Sequence, residues 1–365
     1  MKTTSQRFLS LDILRGTTII FMIIVNHPGS WSHVYAPLLH AAWNGITPTD
    51  YIFPTFIFIM GTSIVLALSK RTEQQDKSAI LKKVLWRSAK IYFVGLFLWL
   101  WPEFNVDRIR WVGVLQRISV VYLACALLYL YTSRKTQWII GTSLLVGYLI
   151  VMCFVAVPGI GMPDLSIAEK NWAHYLDSIL LPGVMWQKTW DPEGLLSTLP
   201  AIVTGMLGMH AGFILQTKTS MEQKLNKLFL FAAILLLLGD ITQYIFPLNK
   251  NLWSTSFTLL LGGISTLALG LCIYICDIKN YGHHFKIGHA FGVNAIFVYT
   301  LAGMFTLLFY SDALWGVALN RLFMDGLGSI GLPLKFLSLA YAVLYVFVIW
   351  VPTKILFDKN IYIKL

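Results

Sequence analysis

Apolar residues run through this chain in ten blocks: about 9–27, 50–69, 83–101, 111–131, 137–157, 194–216, 226–246, 253–276, 288–310 and 335–352. Each is close to the roughly 17 to 25 residues that a helix needs to cross a bilayer. Short polar segments separate most of them, and two longer ones, 28–49 and 158–193, follow the first and fifth blocks. The pattern predicts an all-α integral membrane protein, a polytopic helical bundle of about ten transmembrane helices forming one domain over 1–365. Composition agrees. The chain is 57% hydrophobic and 12% charged, about half the charged share of an ordinary soluble domain. A soluble enzyme, a secreted disulfide scaffold and a disordered chain are excluded, and the lipid bilayer is the first partner implied.

A formal net charge of +11 raises the question of nucleic acid, which its distribution answers. With the N-terminus in the cytoplasm, nineteen Lys and Arg fall on inside segments, mainly 70–90, 134–135, 218–227, 279–286 and 354–364. The outside segments hold seven: Arg108, Arg110, Lys170, Lys188, Lys250, Arg321 and Lys335. That is the positive-inside bias, so both termini are expected in the cytoplasm. The basic balance reports topology, and no nucleic-acid partner is expected. Asp12 and Arg15 interrupt the first block and no small-residue cleavage site follows it, which reads as a span rather than a signal peptide. The four cysteines show no zinc spacing, so neither a metal nor disulfides are expected.

Polar residues inside spans are costly in lipid and therefore informative. Asp12 and Arg15 lie i,i+3 on the first helix. Asn26 follows eleven residues after Arg15, about 16 Å along the axis and on nearly the same face. Lys83, Arg87 and Lys90 form a basic stripe where the third span leaves the cytoplasm, and snorkelling to the headgroups accounts for it equally well. Arg117 lies deeper, in the fourth span behind Gln116. Asp240 and Asn294 read as single buried polar residues of the seventh and ninth spans. Gly205, Gly208 and Gly212 form a small-residue face on the sixth, suited to close helix packing.

Both long loops enter a span through helix-start chemistry: Thr47-Pro48-Thr49-Asp50 before the second and Asp191-Pro192-Glu193-Gly194 before the sixth. Helix capping is the plain reading of Asp50 and Asp191. In the first of these loops His40 offers an imidazole, whose ordinary pKa of about 6.5 suits a base at neutral pH. His27 and His33 compete with it on equal terms. His283, His284 and His289 read as solvated side chains on the cytoplasmic side.

Taken in order, Ser10-Leu11-Asp12-Ile13-Leu14-Arg15-Gly16, Val25-Asn26, His40-Ala41-Ala42-Trp43-Asn44-Gly45 and Thr49-Asp50-Tyr51-Ile52-Phe53-Pro54 resemble the signature of the heparan-alpha-glucosaminide N-acetyltransferase family. The resemblance continues at Trp86-Arg87-Ser88, Gly113-Val114-Leu115-Gln116-Arg117, Asp191-Pro192-Glu193-Gly194, Asn249-Lys250-Asn251-Leu252-Trp253-Ser254 and Asn294. It implies transfer of the acetyl group of cytoplasmic acetyl-CoA to the amine of a glucosamine-type acceptor on the other side. It maps the catalytic histidine onto His40 and the active-site asparagine onto Asn26. The expected substrate ligands are Asp50, Asp191, Glu193, Asn251 and Trp253. The expected CoA-binding residues are Arg15, Arg87, Lys90, Arg117 and Asn294. His40 either takes the amine proton directly or forms an acetyl-imidazole first, and Asn26 either fixes the imidazole or binds the oxyanion. The luminal N-terminal domain of lysosomal members is not matched, so a bacterial-type homologue in a cytoplasmic (inner) membrane is expected, and a homodimer is a family expectation.

Two alternatives stay open. A membrane O-acyltransferase acting on a cell-surface sugar carries an arginine and a histidine with ten residues between them on its first helix; here Asn26 holds that place and His27 comes one late. A sugar transporter or exporter also fits ten spans with buried polar residues, although no paired broken spans of related halves are found.

Overall fold

The computed structural model describes residues 8–363; Lys364, counted above among the cytoplasmic cations, lies outside them. The described residues fold into thirteen α-helices: α1 (Leu9–Asn26), α2 (Ile52–Gln74), α3 (Lys77–Leu100), α4 (Val114–Tyr131), α5 (Arg134–Phe154), α6 (Trp172–Leu180), α7 (Thr198–Gln216), α8 (Met221–Thr242), α9 (Thr255–Cys272), α10 (Lys286–Val293), α11 (Ala295–Tyr310), α12 (Leu319–Gly328) and α13 (Leu334–Asp358). Eight helical segments are long and apolar enough to cross a membrane, and α10 with α11 makes a ninth, bent by 72°. The tenth is α3, whose 24 residues reach about 36 Å and carry Lys83 and Arg87 in their first half and Lys90 just past the middle. Every apolar block of the sequence thus corresponds to a long helix or to the bent pair. The protein is an all-helical integral membrane protein of about ten spans.

The chain resolves into two compact units. One takes in the chain up to His40, Thr47–Ile52 and the chain from Ala268 onward. Here α1 and α10 cross with their backbones in contact. A Cβ on Gly16 would lie 1.7 Å from the Gly288 carbonyl oxygen, and one on Gly292 would lie 1.8 Å from that of Asp12. Arg15 ties the crossing, donating from Nη1 to Asp12 Oδ1 at 3.0 Å and to the Gly292 carbonyl at 3.2 Å. Gly16→Ala therefore forces the helices apart, at a cost of about 1–3 kcal/mol. A lower thermal midpoint in detergent checks this, and an unchanged midpoint would contradict it. The bend between α10 and α11 falls at Asn294, whose carboxamide accepts from Ile363 N at 2.9 Å and donates to the Ile361 carbonyl at 3.2 Å.

The other unit holds Ala41–Ile46 and Phe53–Leu267. Its most enclosed helix is α7. The glycine face read from the sequence is used for close approach: a Cβ on Gly208 would meet the Phe58 carbonyl oxygen of α2 at 2.0 Å. Thr62 of α2 donates its hydroxyl to the Gly208 carbonyl at 2.9 Å. Helices α5 and α8 are much less buried and leave most of their apolar surface for lipid.

Three expectations change. The segment after Asp191 is a run of turns, and α7 begins only at Thr198, with Ser197 at its N-cap. Asp191 therefore caps no helix. Asp240 is exposed near the end of α8, where Gln243 donates to its carboxylate at 2.5 Å. The loop between the ninth and tenth spans is not short: it carries the amphipathic helix α12, just as the 158–193 loop carries α6.

Candidate active site

In the first unit, the loop after α1 folds back through two short 3₁₀ turns, Ala36–Leu38 and Pro48–Tyr51. Pro48 presets the second turn, and Thr47 and Asp50 close a capping box across it. Thr47 and Thr49 clasp the two turns together, their hydroxyls donating to the carbonyls of Leu39 (2.6 Å) and Pro37 (3.1 Å). Asp50 is wholly buried. Its Oδ2 accepts from the Thr47 backbone N–H at 2.9 Å and from the Thr47 hydroxyl at 3.1 Å. Its Oδ1 lies 2.6 Å from Nδ1 of His40.

That contact fixes the imidazole. A carboxylate can only accept, so Nδ1 carries a proton and Nε2 is left with the lone pair in the neutral ring. The His40 side chain is 48% exposed, and one of its nitrogens is anchored in a buried carboxylate. This is the arrangement of a general base or nucleophile with an orienting acid. The two competing histidines are placed differently. His27 is buried, stacked on Tyr345 at 4.5 Å, with Nδ1 against the Ile23 carbonyl. His33 Nδ1 lies 3.3 Å from the Ser30 hydroxyl. Asn26 ends α1, exposed.

In the second unit, the residues that follow His40 are pinned. Gly45 N–H donates to the Leu248 carbonyl at 2.7 Å and Asn249 Nδ2 to Asn44 Oδ1 at 3.0 Å. Trp43 Nε1 and Asn44 Nδ2 both donate to the Leu165 carbonyl, at 2.8 and 3.2 Å. Asn249 is fully buried, and its Oδ1 accepts from Leu252 N at 2.9 Å. It lies in the quoted 249–254 motif but was not among the expected site residues; its signal was the Asn-x-Asn spacing before a span.

The same unit holds a buried charge cluster. Arg110 donates through Nε and Nη2 to the two oxygens of Asp191, at 2.7 and 2.5 Å, and through Nη2 to Glu193 at 2.7 Å. Its guanidinium lies over the rings of Trp99 and Trp186, at 5.4 and 5.2 Å. Burial opposes its charge, but the bonds from Asp191 and the nearness of Glu193 outweigh that, so Arg110 holds its proton more firmly than an ordinary arginine. Val184 N donates to the Ile109 carbonyl at 3.0 Å, which brings Gly183 (φ +79°) so close that a Cβ there would meet Ile109 O at 2.2 Å. Asp191 and Glu193, expected to touch substrate, are thus the partners of an arginine that had been read as an ordinary loop cation.

Arg117 is 2% exposed. It donates from Nη2 to the Gly194 carbonyl (3.1 Å) and the Ser197 hydroxyl (2.5 Å) and lies 5.1 Å from the Trp253 ring centre. Trp253 is equally enclosed; its indole N–H donates to Thr204 at 3.0 Å and Phe53 packs edge-on against it. Arg117 and Trp253 are both buried and pack against each other. Asn294, similarly, is committed to the C-terminal tail. Asn251 is half-buried, while Arg87 is exposed over the Tyr122 ring and Lys90 reaches over that of Trp86.

Asp177 of α6 was not anticipated. Its carboxylate fills the space beside Gly194, where a Cβ would meet Oδ2 at 1.9 Å, and accepts from Leu195 N at 2.9 Å. Burial pushes its pKa up from 3.8 to about 6; Leu195 N–H and Arg117 pull it down, and Asp191 adds to the rise. A raised pKa means that the folded state binds the proton more tightly than the unfolded one. The stability from that proton is therefore full below about pH 4 and lost as pH rises through about 6. Asp177→Asn should remove this component: the difference in thermal midpoint between variant and wild type grows in the variant's favour from pH 4 to pH 6.5. A difference that stays flat over that range would contradict it.

The fold and these groups define the class: a polytopic membrane protein with a histidine–carboxylate pair in the loop after its first span. A family model described as heparan-alpha-glucosaminide N-acetyltransferase, catalytic, matches residues 7–249, and the chain belongs to that family. Among relatives, the heparan-alpha-glucosaminide N-acetyltransferase of Mus musculus is 28% identical, with 82% of this chain and 53% of that protein covered. The protein of the same name from Homo sapiens is 29% identical, with 80% and 52% covered. The chain spans about half the length of the curated relatives it matches.

Proposed function

We propose that the chain is a transmembrane N-acetyltransferase, its 1–365 span serving as one acyltransferase domain, which moves the acetyl group of acetyl-CoA to the amine of a glucosamine-type sugar. The observation that carries the reading is the 2.6 Å contact between His40 Nδ1 and the buried Asp50, in a chain of this family. His40 Nε2 takes a proton from the attacking ammonium-derived amine as the N–C bond forms at the thioester carbonyl. The C–S bond breaks and the thiolate leaves with the electron pair, to be protonated as free CoA. Asp50 is a positioning residue that stabilises the imidazolium. In a two-step route Nε2 attacks first and the amine then resolves an acetyl-imidazole. Asn26 donates its amide to the developing oxyanion.

The exposed Arg87 and the half-buried Lys90 meet the CoA phosphates on the cytoplasmic side, Arg15 is a further ligand of the donor, and Asn251 contacts the sugar. The distribution of Lys and Arg supports an orientation with both termini in the cytoplasm. The membrane is a bacterial cytoplasmic membrane, and the chain works as a homodimer. The test uses purified protein in detergent with acetyl-labelled CoA and glucosamine. Label in N-acetylglucosamine supports the reading, and labelled protein trapped without sugar favours the two-step route. Transfer only to hydroxyl acceptors would turn it into an O-acyltransferase. Absence of both transfer and CoA binding would bring a transporter forward.

A further inference from the structure

A cavity of about 600 Å³ opens within the second unit, where the end of α5, the 158–193 loop and the end of α8 meet. Phe154, Leu165, Tyr244 and Pro247 line it, and Asp164 is its one charged lining residue. Its depth follows from connectivity. Helices α5 and α8 are both long and apolar enough to span, so their ends lie where the hydrocarbon core gives way to headgroups. Exposed apolar side chains lead up to the cavity at helical spacing, Ile150 and Phe154 on α5 and Leu237 and Ile241 on α8. The cavity is thus continuous with the lipid-facing surface of the two spans. A headgroup entering it would leave its acyl chains along those faces.

Charge then selects the headgroup. Asp164 Oδ1 accepts from the backbone N–H and hydroxyl of Ser166, at 3.0 and 2.6 Å. These bonds, with help from the charge of Lys170, hold the carboxyl below its ordinary range, so it is ionised at neutral pH. Tyr244 is 84% exposed and adds an open aromatic ring to the same cavity. A carboxylate and an aromatic ring together favour an ammonium group. The helix ends act in the same direction. Neither α5 nor α8 has a basic residue in its last turn, so their terminal carbonyls favour a cation, and Asp240 is exposed near the end of α8. A phosphate also has a counterpart. The Lys170 carbonyl accepts from Asp164 N at 2.8 Å, which closes the 164–170 turn and keeps the exposed Lys170 near the carboxylate.

We propose that this cavity seats the headgroup of a zwitterionic aminophospholipid, its ammonium on Asp164 and Tyr244 and its phosphodiester toward Lys170. Delipidated full chain in detergent is titrated with short-chain phosphatidylethanolamine, with phosphatidylglycerol and with the soluble headgroup glycerophosphoethanolamine. Binding is counted by native mass spectrometry and read as a shift in thermal midpoint. Wild type should bind phosphatidylethanolamine roughly tenfold more tightly than phosphatidylglycerol, the scale of one hydrogen bond to a charged group. Asp164→Asn, which keeps an acceptor for Ser166, and Tyr244→Ala should each lose that preference while the lipid-free midpoint stays unchanged. Asp164→Lys should turn the preference toward phosphatidylglycerol.

Equal binding of the two lipids by wild type overturns the proposal, and so does a preference that survives both Asp164→Asn and Tyr244→Ala. Glycerophosphoethanolamine binding as tightly as the lipid overturns it too, because the cavity would then serve a soluble amine. None of these readings involves acetyl transfer, so failure of the reaction proposed under the previous heading leaves the lipid site standing.

Discussion

His40→Ala lowers acetyl transfer by roughly 10²–10⁴-fold, the usual contribution of a positioned base, with folding and donor binding retained because the ring is half exposed. Asp50→Asn should approach the same loss by a different route. The Thr47 N–H and hydroxyl sit on Oδ2, so an asparagine here turns its carbonyl oxygen to them and its NH₂ group to His40. Nδ1 must then accept, the proton moves to Nε2, and the nitrogen that faces substrate can no longer take one. The expected signature is a fall in kcat with KM for glucosamine nearly unchanged. Wild-type kcat in either variant would show that the pair is structural only.

Arg110→Ala carries the largest expected effect on stability. It leaves Asp191 and Glu193 buried without their counter-charge, and breaking a buried ion pair from one side costs about 3–5 kcal/mol. Arg110→Lys should recover only part of this. Lysine offers a point charge in place of the fork that holds both oxygens of Asp191, and it loses the guanidinium's contacts with the Trp99 and Trp186 rings. The readout is the thermal midpoint in detergent, followed by the yield of folded protein. A variant within 0.5 kcal/mol of wild type, on the order of an ordinary surface change, would mean that the cluster is more hydrated than its burial indicates.

Run length made the spans legible. A bilayer demands about twenty apolar residues in a row, and that demand leaves a mark in sequence which packing cannot erase. The two short amphipathic helices were not legible, because α6 and α12, at 9 and 10 residues, are too short to stand out among loop residues. The pair His40–Asp50 was half visible: both residues stood in quoted motifs, but the ten residues between them gave no sign that the loop doubles back. Asp50 was therefore read as a cap or a sugar ligand, and in part it is a cap, as the N3 member of the box with Thr47.

Arg110 and Asp177 were missed for a common reason. A charged residue in a loop reads as solvated until tertiary structure buries it, and only the crowding of acids in 158–193 beside a tryptophan-rich loop hinted otherwise. An aromatic residue at the mouth of a span reads equally as a sugar platform or as core, and nothing in the sequence showed that Trp253 is buried beside Arg117.

The central claim is that an acetyl group crosses the membrane through this chain. Purified protein is reconstituted into sealed vesicles of known orientation, with acetyl-labelled CoA confined to the face that bears the termini and glucosamine confined to the other. The account predicts labelled N-acetylglucosamine on the glucosamine side, CoA retained on its own side, and no label in vesicles carrying His40→Ala. Transfer that occurs only when donor and acceptor share one compartment would contradict it.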